Sequence, residues 1–96
     1  MNGDDNMVIK FENKEHEYEE WCNMYTNGYV FNRAGGRTGN VLHSVGCWHL
    51  NVPSRKGTYS TRYPKYCTEN LNDLLAVVGE LSKPDSWRKC SACLNK

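Results

Sequence analysis

Near the end of the chain, Lys89-Cys90-Ser91-Ala92-Cys93-Leu94 places two thiols three positions apart. Cysteines separated by two residues can turn both sulfurs toward one ion, as in a zinc knuckle, where thiolates sit about 2.3 Å from the metal. One such pair supplies half of a tetrahedron, so a second pair is expected upstream. His43-Ser44-Val45-Gly46-Cys47 fits best. Its spacing suits a tight loop, and Gly46 lets the backbone turn sharply before the cysteine. The predicted ligand set is His43, Cys47, Cys90 and Cys93, with Zn2+ as the ion. Cys67 is an alternative ligand that could replace His43 in a four-cysteine site, and is otherwise read as a small core residue. His49 stands too close to Cys47 for easy chelation. Cys22 is assigned to the core and His16 to solvent.

Redox chemistry at Cys90 and Cys93 is disfavoured. A thioredoxin-like pair needs a helix N-terminus to lower the thiol pKa, and only three residues follow Cys93. Other catalytic signatures are missing: there is no His-x-Glu of the zinc deaminases, no HExxH and no serine elbow. Four protein ligands also leave zinc no open position for water. The chain is therefore expected not to be an enzyme.

These ligands must be positioned by a small fold. The 96 residues suffice for one domain with a modest core. Six tyrosines and three tryptophans, against two phenylalanines, carry much of the apolar area. Such side chains favour half-buried sites with one wet edge. A structural zinc would support a core of this kind, since metal binding is folding free energy in small domains. The five cysteines are an odd count, which fits a disulfide framework poorly. With an acidic, polar start and no apolar run of membrane length, the expectation is a cytoplasmic, monomeric protein away from the membrane.

Residues 1–6 are expected to be flexible and 7–96 to form the domain. Met7-Val8-Ile9-Lys10-Phe11 has strand composition. Asn13 is the predicted cap of a helix over 14–26, whose stripe is Tyr18, Trp21, Cys22 and Tyr25, with Gly28 as its stop. Tyr29-Val30-Phe31-Asn32 and Val41-Leu42-His43 read as a hairpin about the glycine-rich 34–40 turn. This places His43 at a strand end. Residues 51–62 read as an irregular loop, and 63–67 as extended, with Pro64 barring a central strand position. Thr68 or Asn70 caps a second helix, striped by Leu71, Leu74, Leu75, Val78 and Leu81. Trp87 anchors the approach to Cys90. The predicted class is α+β: a zinc-stabilised domain with a short antiparallel sheet and two helices.

From about Leu42 to Leu94 the chain resembles the metal-binding domain of Ada-type DNA-repair and regulatory proteins and its stand-alone relatives. The matching pieces are His43-Ser-Val-Gly-Cys47, the helix 70–81 and Arg88-Lys89-Cys90-Ser91-Ala92-Cys93; the 51–62 and 82–87 segments are longer than the family suggests. In that family the first ligand is a cysteine, whose zinc-bound thiolate accepts a methyl group from DNA phosphotriesters. Here the position is His43, and an imidazole offers no thiolate. The resemblance thus implies a zinc site with a structural role, and a binding function rather than methyl acceptance.

Charge distribution points to a partner. Residues 1–27 hold seven acids and two lysines, whereas no acid occurs from Trp21 to Thr68. That stretch carries Arg33, Arg37, Arg55, Lys56, Arg62 and Lys65 among tyrosines, Phe31 and Trp48. Such a segment suits nucleic acid, DNA first, with cations on phosphates and aromatics on bases. The low net charge of +1 weakens that reading. The alternative is a zinc-stapled protein-interaction domain, its exposed tyrosines and acidic first helix meeting a protein.

Overall fold

The computed structural model describes residues 8–33, 40–47, 50, 63–82, 86–91 and 93–94. Expectations for residues 1–6, the hairpin tip at 34–39, Trp48, His49, the 51–62 loop and Pro84 lie outside these, as do Arg37, Arg55, Lys56 and Arg62. In chain order the elements are β1 (Ile9–Phe11), α1 (Glu15–Met24), β2 (Tyr29–Arg33), β3 (Asn40–Ser44), β4 (Lys65–Thr68), α2 (Leu71–Leu81) and β5 (Arg88–Lys89). The class is α+β, as the sequence implies.

The strands form one sheet in the order β1-β4-β2-β3-β5. The predicted hairpin is present, with Val30 opposite His43 and Phe31 opposite Leu42. Strand β4 pairs antiparallel with both β1 and β2, whereas β5 runs parallel to β3. Alternation along each strand divides the apolar residues between two faces. Val30, Val41 and Cys67 pack with Phe11 and with Tyr18, Trp21 and Cys22 of α1. Phe31, Leu42 and Tyr66 pack with Leu74 and Val78 of α2. The sheet is thus sandwiched between its two helices. Edge-to-face ring contacts, Phe11 with Tyr18 and Phe31 with Trp87, close the two layers.

Two expectations are corrected. Asn13 does not cap α1: its φ is 58°, the left-handed region that asparagine tolerates, and the cap position falls to Lys14, with no side-chain cap bond. Pro64 does not keep its segment at an edge. Strand β4 lies between β1 and β2 and starts one residue after the proline. There the missing N–H costs nothing, and the Pro64 carbonyl accepts from the Arg33 amide at 3.1 Å.

Helix α2 is capped by Asn70, one of the two candidates, while Thr68 braces the cap residue. Asn70 Oδ1 accepts from the Asp73 amide at 3.2 Å, and Thr68 Oγ1 accepts from the Asn70 amide at 3.1 Å. Gly28 ends the α1 connection for a packing reason. A Cβ there would lie 2.6 Å from Trp21 Cη2 and 3.2 Å from the Thr68 carbonyl oxygen. Among the described residues no helix is long and apolar enough to cross a membrane.

Candidate metal centre

His43 projects from β3 onto the α1 face of the sheet, in the same row as Val30 and Cys67. Just beyond the strand, the Cys47 amide donates to the Ser44 carbonyl at 3.2 Å. That closes a four-residue turn with Gly46 third, at φ 89°. A positive φ at this position is what a type II turn demands, and glycine adopts it without a Cβ penalty. The expected tight turn is therefore built, and it folds Cys47 back beside His43.

The other pair arrives by a long route. After α2 the chain returns as β5, with Leu42 in register with Lys89. One step on, the Cys90 amide donates to the Leu42 carbonyl at 2.8 Å, which sets Cys90 next to His43. The Leu94 amide donates to the Cys90 carbonyl at 2.8 Å, so the Cys90–Cys93 segment curls into one turn. The Ser44 amide then donates to Cys93 Sγ at 3.3 Å, tying the second pair to the first.

One ligand atom from each of His43, Cys47, Cys90 and Cys93 lies within 4.8 Å of the others. The four residues are close enough to hold one metal ion. Cys47 Sγ and Cys90 Sγ are 3.8 Å apart. A tetrahedron with arms of about 2.3 Å has edges of roughly 3.8 Å, whereas a disulfide would need about 2.05 Å. The set of three sulfurs and one imidazole nitrogen suits a soft or borderline ion in tetrahedral coordination. His43, Cys47 and Cys90 are buried and Cys93 is half-buried. Thiolates placed beside Leu50 and Val41 would be costly without a neutralising cation. His43 makes other interactions of its own, while its buried Nδ1 has no hydrogen-bond partner among the described residues.

The remaining sequence candidates fall elsewhere. Cys67 is fully buried and stands outside the ligand cluster. Burial, followed by the nearby Cys22, pushes its thiol up into the neutral form. Cys22 is buried in the core and His16 is exposed, 3.2 Å from Glu20.

Of the six cations assigned to a nucleic-acid face, Lys65 is only 4% exposed. Its ammonium donates to Asn32 Oδ1 at 2.7 Å. Period-2 placement on β4 turns it inward, so it is not a surface cation. Arg33 is half-buried and donates to the Leu81 carbonyl at 3.3 Å. It supplies the positive charge that the last turn of α2 lacks. By contrast, Arg88 and Lys89 on the edge strand β5 are exposed.

A cleft of about 710 Å³ was not foreseen. It opens where α1 ends and α2 begins, and Trp21, Tyr25, Tyr29, Glu69 and Asp73 are among its lining residues. The i, i+4 spacing of Trp21 and Tyr25 was the only local signal, and it reads equally as core. Comparison with protein-family models, with curated proteins and with solved structures finds no match to this chain.

Proposed function

We propose that this chain is a small zinc-binding module in which the ion closes the fold and does no catalysis. The observation that carries this is the convergence of His43, Cys47, Cys90 and Cys93 from two segments between which the chain runs through β4, α2 and β5. His43 and the three cysteines would hold the ion, and four protein donors leave no position for a reacting water. When bound, zinc supplies a cross-link and neutralises the thiolates. The Ser44 amide bond to Cys93 Sγ is the kind of outer contact that orients a ligand and eases its charge. None of the five cysteines is in a disulfide, which leaves the three of the cluster available to an ion.

The test is zinc stoichiometry on the natively purified chain, together with cysteine β-carbon chemical shifts. Expected are one ion per chain, metal-thiolate shifts for Cys47, Cys90 and Cys93, and free-thiol shifts for Cys22 and Cys67. No metal uptake, or metal-thiolate shifts at Cys67, would overturn the assignment.

For the module's task, nucleic acid is the partner favoured by charge. Arg37, Arg55, Lys56 and Arg62 stay as candidates from the acid-free segment, and the exposed Arg88 and Lys89 beside the metal site extend the basic set. Short DNA titrated at low salt should shift the amides of these residues, with binding weakening steeply as salt rises. Absence of any shift at low salt removes this partner. The second reading, a zinc-stapled protein-interaction domain, is favoured by the aromatic cleft.

A further inference from the structure

The cleft at the junction of α1 and α2 has a composition that restricts what can enter it. Trp21 and Tyr25 are one helical turn apart, with ring centroids 5.1 Å apart and planes tilted by 38°. Tyr29 comes from β2, and Ile9 extends the apolar lining toward the edge strand β1. Glu69, exposed, and Asp73, half-buried, are the two carboxylates of the lining. Among the described lining residues there is no lysine, arginine or histidine.

Each ingredient excludes a class of ligand. Two carboxylates disfavour an anion. A neutral apolar ligand would be held against those carboxylates with nothing to offset their lost water. A bare ammonium is strongly hydrated and seeks acceptors that aromatic faces do not provide. A methylated ammonium is a cation with an apolar shell and spread charge, and it is attracted to aromatic faces through their quadrupoles.

The N-terminus of α2 lies at the same cleft and brings partial positive charge, but its donors are partly taken. The Asp73 amide is bonded to Asn70 Oδ1 and the Asn70 amide to Thr68 Oγ1. Both bonds occupy donors at this end, leaving the acids to set the local sign.

We propose that this cleft binds the trimethylammonium head of a methylated lysine on a partner protein. The volume, about 710 Å³, exceeds what one trimethylammonium head fills and leaves room for the lysine stem and adjoining backbone. Ile9, 44% exposed on the edge strand, continues the apolar surface out to the margin of the sheet, where an extended segment can lie. This site is separate from the metal centre and does not depend on whether the basic segment meets nucleic acid.

The test uses the 96-residue, zinc-loaded chain, labelled with 15N, and a short Gly/Ser/Ala peptide carrying one central trimethyllysine. Parallel titrations use the unmodified-lysine peptide, a peptide with a neutral tert-butyl isostere in place of the ammonium, and tetramethylammonium chloride. The trimethyllysine peptide should shift the Trp21 indole resonance and the amides of Tyr25, Tyr29 and Asp73. Affinity should fall by about fivefold or more when either the methyl groups or the charge is removed. Glu69→Gln, an exposed change that leaves the core intact, should weaken the trimethyllysine peptide by about two- to fivefold. The proposal is overturned if millimolar peptide leaves those resonances unmoved, or if the neutral isostere or the unmodified lysine binds equally well. Tetramethylammonium binding as tightly as the peptide would overturn the assignment to a protein partner. Zinc content, measured on the same sample, keeps failure here distinct from failure of the metal assignment.

Discussion

Replacing Cys90 with serine tests the metal centre quantitatively. Cys90 and Cys47 lie 43 positions apart in the chain, and the proposed ion would join them. A link across a loop of that length restricts the unfolded chain by about 4 kcal/mol in the chain-entropy treatment, and a metal clip acts through the same term as a disulfide. That is a large part of the about 5–15 kcal/mol that holds a domain folded. For a chain of 96 residues it corresponds to a fall in melting temperature of roughly 15–30 °C. Exchanging sulfur for oxygen at a buried site has its own cost, so the part due to the ion must be isolated. Four melts do this: the native chain and Cys90→Ser, each in zinc and in a strong chelator. The native chain should lose about 4 kcal/mol or more in chelator, the variant should not respond, and the two should come within about 1 kcal/mol of each other once both are metal-free. Cys67→Ser, buried but outside the cluster, should keep the full chelator response. A native chain that melts identically with and without the chelator would refute the reasoning, as would a Cys90→Ser penalty of equal size in both conditions.

Three further perturbations have defined outcomes. Gly28→Ala puts a methyl 2.6 Å from Trp21 Cη2 and 3.1 Å from the Tyr25 carbonyl oxygen; denaturant titration should show a loss of about 1–3 kcal/mol, and an unchanged midpoint would mean that the indole yields freely. Gly46→Ala meets open space, but φ there is 89°, so the cost is backbone strain of about 1–2 kcal/mol. Read by competition with a chromophoric chelator, it should appear as roughly tenfold weaker zinc binding, and unaltered affinity would contradict the turn. Burial, then Cys22, raises the Cys67 thiol above its ordinary 9.0, so the folded chain keeps a proton that the unfolded chain gives up. The contribution is complete below about pH 9 and shrinks above it, by up to about 1.4 kcal/mol per pH unit. Cys67→Ala should flatten the decline of stability between pH 9 and 11, and equal slopes would rule this out.

Both ligand pairs were legible because each is local: His43 to Cys47 and Cys90 to Cys93 each span a single turn. The helices were legible through their apolar stripes, and the hairpin through two strand-like runs flanking glycines. Strand β5 was not, since two residues, Arg88 and Lys89, carry no periodicity and their parallel register is fixed by packing against β3. Lys65 shows the same limit from the other side. Its charge suggested a surface, whereas its place in a strand buried on both faces put it beside Asn32. The cleft draws its lining from α1, β2 and the start of α2, and no window of sequence holds more than two of its walls.

The parallel seating of β5 on β3 has a consequence for how the molecule is made. Synthesis runs from the amino end, and everything through α2 emerges before Cys90 exists. At that stage the hairpin and both helices can form, but a passing ion finds only an imidazole and one sulfur. Tight capture waits for residue 93. Retention of the proposed ion would therefore separate a chain that carries Cys93 from one interrupted before it.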